Sequence, residues 1–532
     1  MPSRTRNLFT NAISLTLTAL TIRAVSVIFN VYIANKAGNE AMGLFALLGS
    51  VYAFSITIAC ASINLGTTRL VADAIGLGDG KLALRSVRKS LLICSVTSII
   101  SGLVLFFFSN LIAGDLLGDI RAASSLKVLA TTLFPVAVCS CLTGYFTAVR
   151  RVKLNATFQI FIQLVKIAVT VCFLTLFGEL DPESACIALV LGSAAAEFIS
   201  LVITFCLYLY DKKKLVVLER KSNYSGEGTS VGESITKKIL IITLPVTVSA
   251  CIRSGLSMFQ HILIPRGLAA SGSSWSEALS SYGALHGMAL PLLLFPSAFI
   301  AAFAGLLIPE ISECCIQENT SRLSRASYRA LGMALIFSIG VSGIMLFYSH
   351  ELGHLIYKSE EVARYIRILA PLIPIMYIDG AVDAVLKGSG HQVYSMNVNI
   401  ADTLTACLFA LFLIPKIGIW GYIISIYATE ILNTTLSLMK MISVSKIKVR
   451  IVHQIAMPII CVIGATNLSR IVLSLIKLPI NDAAALVLEI TLTIGIYVIL
   501  LNLTRTIGSE EKEFLNAALL SEKKYNEKFK NQ

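Results

Sequence analysis

Arginine rarely lies deep in a run of apolar residues, and this chain holds two arginines in equivalent settings. Arg23 follows Ile22 in a long apolar stretch, with Asn30 seven residues on; Arg253 follows Ile252, with Gln260 seven residues on. An ionisable group at bilayer depth costs at least about 2.5–3.5 kcal/mol and is normally tolerated where it meets a partner or a cavity. Guanidinium grips phosphate through a planar two-point fork. The pair therefore reads as an anion site for a phosphate or pyrophosphate head group, with Asn30 and Gln260 beside it. The competing reading is that each arginine pairs with an internal acid or caps a broken helix. Gln159, Gln163 and Lys166, at spacings of four and three, share one helical face. Such a stripe suits a water-filled cavity or, equally, interhelical hydrogen bonding.

The acids lie further along. Asp379 and Asp383 are four apart and stack on one face, Asn399 and Asp402 are three apart, and Glu430 stands near Asn433. These carboxylates could bind Na⁺ or carry a proton, which would supply energy coupling. They could equally neutralise Arg253 or Arg470, or be protonated. Glu197 is a lone acid with no evident partner. His261 and His286 have no metal-ligand neighbours and read singly as structural, so neither metal nor cofactor is expected. The 12 cysteines include no CxxC pair, and Cys139 and Cys141 face two sides of one helix.

The elements that position these groups are membrane helices. Of 532 residues, 56% are hydrophobic and 14% charged, where a soluble protein carries about 25% charged; the mean hydropathy is +0.79. Apolar runs of about 20 residues, the length of a bilayer crossing, fill the chain. About fourteen spans are expected, at 8–34, 42–65, 90–113, 128–149, 155–177, 184–210, 239–264, 281–308, 328–349, 365–387, 396–415, 420–441, 452–475 and 482–503. The first run is too long for a signal peptide and reads as a retained helix. Arg23 then has about fifteen residues of its helix on one side and eleven on the other, too far to snorkel. Pro245, Pro291, Pro296, Pro309 and Pro374 should kink their helices.

The net charge of +13 reads as topology and not as nucleic-acid binding. Most of the Lys and Arg lie in alternate loops, above all 211–238, while 178–183 carries Glu179 and Asp181 and no base. Both termini are therefore expected in the cytoplasm, in a multi-pass protein of the cell membrane. The polar linker 211–238 divides the first twelve spans six and six. The expected domains are an N-terminal lobe at 1–238, a C-terminal lobe at 239–445, two further helices at 446–504 and a cytoplasmic tail at 505–532. Ile22-Arg23 and Ile252-Arg253 occupy the first span of each six. Leu129-Ala130 with Pro135 and Leu369-Ala370 with Pro374 occupy the fourth. Both sixes start on the same side, so the repeat is parallel, an arrangement that creates a cavity between lobes.

Several stretches carry a family resemblance. Gly144-Tyr145-Phe146-Thr147-Ala148, then Asn155-Ala156-Thr157 before Gln159, Gln163 and Lys166, resembles the junction of helices four and five in the stage V sporulation protein B group. Leu386-Lys387-Gly388-Ser389-Gly390-His391-Gln392 resembles that group's turn after helix ten. Leu413 to Gly421 resembles its loop before helix twelve, and Gly43-Leu44-Phe45 also fits. The group exports polysaccharides and oligosaccharidyl lipids. It shares a superfamily with the lipid II flippases and the multidrug and toxin extruders. The resemblance implies an all-α integral membrane fold, two six-helix lobes in a V plus two C-terminal helices. It implies that Arg23 and Arg253 line the cavity and hold the pyrophosphate of an undecaprenyl-linked sugar, with helices 452–503 forming part of a groove for the lipid tail. The group often has a second basic residue seven positions after the first-helix arginine. Here that position is Asn30, which leaves the cavity less basic.

The expectation is a monomeric flippase for a lipid-linked saccharide, by alternating access, with Na⁺ or H⁺ coupling and a place in sporulation. A cation-coupled multidrug antiporter of the same fold is the alternative. Those extruders often use a carboxylate in the first or seventh helix, and neither 8–34 nor 239–264 contains Asp or Glu. A membrane polymerase or ligase would need catalytic groups, usually on a sizeable outer loop; these loops are short, so no enzyme is expected. A non-transporting scaffold for envelope synthesis is the third alternative.

Overall fold

The computed structural model describes residues 2–149, 151–176, 181–221, 235–447, 452–476, 481–504 and 506. Residues 222–234 of the linker, 178–180 of the acidic loop, and the tail at 505–532 apart from Thr506 lie outside the described residues. Among the described residues the chain is helical nearly throughout and has no strand. This follows from apolar runs that can satisfy their backbone in lipid only within a helix.

Helix α1 (Pro2–Cys60) carries the first two expected spans and breaks at Gly38, where φ is 81° and ψ 173°. That left-handed geometry needs glycine. Asn30 and Met42, on either side of the break, both reach Gly287, so the chain doubles back there. A second bend at Ala61 and Ser62 leads into α2 (Ile63–Gly76). Then come α3 (Gly80–Phe107), α4 (Ala122–Ala148), α5 (Val152–Leu176), α6 (Pro182–Lys221) and α7 (Ile235–Ala270). Helix α6 runs into the expected linker, past the span end at 210.

The expected span 281–308 is discontinuous. It comprises the end of α8 (Trp275–Tyr282), a π-helical turn at Gly283–Ala289, a short helix at Leu290–Leu294, and α9 (Ser297–Ile316) beyond Pro296. Helices α10 (Thr320–Phe347), α11 (Ser349–Tyr357) and α12 (Glu360–Leu369) follow. A 3₁₀ turn at Ala370–Leu372 leads to α13 (Ile373–Gly388), then α14 (Gln392–Phe412), α15 (Ile419–Ser445), α16 (Met457–Ile476) and α17 (Asp482–Leu503). Pro374 therefore marks a break, whereas Pro245 and Pro309 sit inside continuous helices.

Among the described residues, 11 helices are long and apolar enough to cross a membrane. The difference from about fourteen has three local causes. Gly38 divides one helix into two crossings, the 281–308 segment is broken, and α15 is a continuous 27-residue helix made polar by Glu430, Asn433 and its hydroxyls.

Two compact units emerge from the packing: the described residues up to Gly287 with Thr403–Tyr422, and Met288–Asp402 with the described residues from Ile423 onward. In the first, Leu44, Leu47, Leu117, Leu126 and Leu133 are fully buried. In the second, Ile311, Val382, Val385 and Leu386 are fully buried beneath α9, α10 and α13. These units cut the chain elsewhere than the expected lobes at 1–238 and 239–445. Gly255 of α7 seats against Phe54, and Thr243 of α7 against Gly66, which fastens α7 to α1 and α2. The last two helices belong with α10. Tyr497 fills the space over Gly340 and Val462 that over Gly343, while the Tyr497 hydroxyl donates to the Ile336 carbonyl (2.8 Å).

Candidate functional site

Helices α5 and α7, which carry the polar stripe and Arg253, are the least enclosed of the long helices. Only 11% of the apolar window of each is buried, against 56% for α4 and α10. Arg23 and Arg253 both have exposed side chains. A guanidinium at bilayer depth faces hydrocarbon only at high cost, so such an exposed surface is suited to a wet cavity wall. Arg23 stands fifteen residues before the reversal at Gly38. Ser254, next to Arg253, accepts a hydrogen bond from Thr57 (3.3 Å), nineteen residues after it. At 1.5 Å per residue these positions lie about 22 and 28 Å along the chain from the bend.

The stripe on α5 lines a pocket of about 290 Å³ with Ile22 of α1, Thr143 of α4, and Ser200 and Thr204 of α6. Gln159 and Gln163 both reach it, and the Gln163 amide also donates to the Ser26 hydroxyl (3.1 Å). Cavity lining and interhelical hydrogen bonding thus coexist in one residue. Lys166 lies within electrostatic reach of Glu197 on α6, so Glu197 is not the lone acid that its isolation in sequence suggests. Asn30 is used differently from expectation: its amide donates to the Gly287 carbonyl (2.8 Å), where it ties α1 to the π-helical turn. Gln260 is half-buried on α7. Cys139 lines the pocket while Cys141 is buried beside Thr67, on opposite faces as their spacing requires.

The acids of the second unit come together. Asp379 and Asp383 line a pocket of about 420 Å³ with Ser297, Tyr377 and Lys387. Asp402 and Glu430 lie within coulombic reach of Asp379. Asp379 is met by Asn433 (3.5 Å). Asp383 holds Lys387 one turn on (2.5 Å) and accepts from the Ser395 hydroxyl. One oxygen of Asp402 is enclosed without a hydrogen-bond partner among the described residues. No set of three metal-ligating side chains occurs among the described residues. Arg470 is served by other acids: it meets Glu351 and Glu489, both at 3.5 Å, donates to the Phe347 carbonyl (3.0 Å), and lies over the Tyr348 ring. These acidic contacts thus lie outside the Asp379 cluster.

Two groupings had no signal in the sequence. Beside the Gly38 break of α1 and at the starts of α4 and α8, Arg121 binds Asp119 (2.7 Å) and Glu40 (2.9 Å). Trp275 donates to Asp119 (3.1 Å) and Ser276 to Glu40 (2.6 Å). Burial pushes the Asp119 carboxyl up, but the hydrogen bonds from Arg121 and Trp275 prevail and hold it below the usual carboxylate range. The hydrogen bond to Asp119, opposed by partial burial and aided by Glu40, raises the Arg121 guanidinium. In the second grouping the two histidines, distant in sequence, place their rings 4.5 Å apart.

Comparison with known proteins fits this architecture. Stage V sporulation protein B of Bacillus subtilis (strain 168) is 27% identical over 492 residues, covering 92% of this chain and 94% of that protein. Sporulation protein YkvU of the same organism is 22% identical over 433 residues, covering 80% and 92%. Among solved structures, the lipid II flippase MurJ in an inward closed conformation superimposes with a TM-score of 0.65 at 13% identity, covering 93% of this chain and 99% of that one. An inward-facing multidrug resistance MATE transporter of the MOP superfamily gives 0.57 at 17% identity, covering 81% and 99%. These likenesses show the fold. The MatE family profile matches residues 271–412. The profile described as polysaccharide biosynthesis protein matches residues 8–315, more than half of the chain, and the chain belongs to that family.

Proposed function

We propose that this protein is a flippase that moves an undecaprenyl-pyrophosphate-linked saccharide, a peptidoglycan or polysaccharide precursor, across the cytoplasmic membrane by alternating access. The observation that carries the reading is the pair of exposed arginines at matching repeat positions, Arg23 on α1 and Arg253 on α7. In this reading they clamp the pyrophosphate, and Gln159, Gln163 and Lys166 meet the sugar end of the substrate. Alternating access is read as movement of one lobe against the other, and the protein acts as a monomer with both termini in the cytoplasm. Coupling to Na⁺ or H⁺ runs through Asp379, Asp383, Asp402 and Glu430. The polar groups suit positioning and not bond-making, so the reading is a transporter and not an enzyme. Similarity to stage V sporulation protein B supports a role in sporulation.

A reconstituted flipping assay with lipid II and simpler undecaprenyl-pyrophosphate sugars tests it. Arg23→Ala and Arg253→Ala should each abolish flipping at unchanged expression. Lys at either position should restore only part of it, because a point charge does not reproduce the fork. Activity retained in both alanine variants refutes the site.

A further inference from the structure

His261 of α7 and His286 of the π-helical turn form a cluster with two tyrosines. The Tyr282 hydroxyl lies 3.1 Å from Nδ1 of His261, and the Tyr422 hydroxyl 3.3 Å from Nδ1 of His286. The imidazoles are 4.5 Å apart, and the Tyr282 ring stacks on His286 at 5.2 Å with an interplanar angle of 5°. Tyr282 and Tyr422 are buried. Four polar rings from three segments therefore meet inside an apolar bundle.

The charges around them are few. On α7 itself, Arg266 is turned to the Asp115 carbonyl, and Arg253 lies two turns away. From α14, Cys407 contacts the Leu256 carbonyl; from α8 and α15 come Tyr282 and Tyr422. From α1, Glu40 is engaged by Arg121 and Ser276, and the titratable ring packed closest on His286 is His261. Two neutral imidazoles, each held by a tyrosine hydroxyl, are satisfied here. Two imidazolium ions at 4.5 Å in an apolar setting would repel each other and lack a counter-ion.

The cluster sits where α1 is clasped. Backbone meets backbone at Gly43 and Gly283, and Asn30 holds the Gly287 carbonyl within the π-helical turn. π-bulges recur at functional sites. A charge at His286 acts directly on this clasp.

We propose that the His261–His286 pair is a proton-binding site that releases the clasp between α1 and the α8–π-turn segment. With the pair neutral the clasp holds, and proton uptake favours its opening. The inference rests on the alternating-access reading, but its test needs no substrate, so the two fail separately. The sequence contains two tryptophans, Trp275 opening α8 and Trp420 two residues before Tyr422, so intrinsic fluorescence reports on this region without labels. Asp119, held below its ordinary 3.8, stays largely ionised between pH 8 and pH 4 and so leaves Trp275 largely undisturbed by its own protonation.

The full-length protein in lipid nanodiscs is titrated from pH 8 to pH 4. Wild type should show a fluorescence transition at or below about pH 6.5, the ordinary histidine value. His261→Gln and His286→Gln should each remove at least half of its amplitude or move its midpoint by at least about half a pH unit. Tyr422→Phe, which keeps the packing and deletes only the hydroxyl at His286, should move the midpoint without loss of folding. Absence of a transition in wild type overturns the proposal, as does one that survives unchanged in either histidine variant or in the folded Tyr422→Phe protein.

Discussion

The crossing of α1 over α8 and the π-helical turn can be broken by one methyl group. A Cβ at Gly43 would lie 2.0 Å from the Leu279 carbonyl oxygen, and one at Gly283 would lie 2.1 Å from that of Asn39. Ordinary contact begins at 3.4 Å, so Gly43→Ala requires the two backbones to part by more than 1 Å. The neighbouring hydrogen bonds cannot follow. Asn30 to Gly287 would open from 2.8 Å, and Ser276 to Glu40 from 2.6 Å, to beyond hydrogen-bonding distance. A neutral bond contributes about 0.5–1.5 kcal/mol and one to a charged group about 1.5–3, so the loss should be about 2–4 kcal/mol. Gly49, on the same helix, is the matched control, because a methyl group added there would meet nothing within 4 Å. There Ala should be neutral or stabilising by up to about 1 kcal/mol. The assay is reversible denaturant unfolding of the purified protein in detergent, followed by tryptophan emission. Stabilities of Gly43→Ala and Gly49→Ala within about 1 kcal/mol of each other would refute the close-packing argument.

Other consequences can be checked in parallel. If coupling runs through the acidic cluster, Asp379→Asn, Asp402→Asn or Glu430→Gln should leave flipping independent of an imposed Na⁺ or H⁺ gradient; dependence that survives in all three places coupling elsewhere. The folded Asp119 carboxyl titrates below its ordinary 3.8, so its contribution is complete above that value and is lost only as pH falls through the lower folded one. Arg121→Ala should remove this acid limb from the pH–stability curve, and an unchanged curve would argue against the network. Gly340→Ala places a Cβ 2.6 Å from the Tyr497 ring and should cost about 1–3 kcal/mol, measured as loss of protease resistance in α16 and α17.

Much of the fold was legible because lipid leaves the backbone few choices. Runs of apolar residues long enough to span became helices among the described residues. What escaped were breaks decided by neighbours. The break at Gly38 falls between the expected spans 8–34 and 42–65, whereas the expected span 281–308 is interrupted by a π-helical turn where glycines meet α1. The site was legible in residue type but not in partnership. Arg23, Arg253 and the α5 stripe stand out because polar groups are expensive in membranes. Whether Asn30 served a ligand or a carbonyl, or whether Glu197 had a base, depended on a helix elsewhere in the chain. The histidine cluster and the Arg121 network join residues up to 236 positions apart, a separation that no local spacing encodes.

The attachment of the final helices has a consequence for synthesis. The Tyr348 hydroxyl is satisfied by Ser469 and Thr493, which follow it by 121 and 145 residues. At about 5–20 residues per second, the tyrosine waits roughly 6–30 s after its own translation before those hydroxyls exist. For that interval α10 and the tyrosine that follows it lack the partners of one hydroxyl and two glycine grooves. A ribosome that pauses before residue 457 would leave a nearly complete protein exposed as a substrate for membrane quality control.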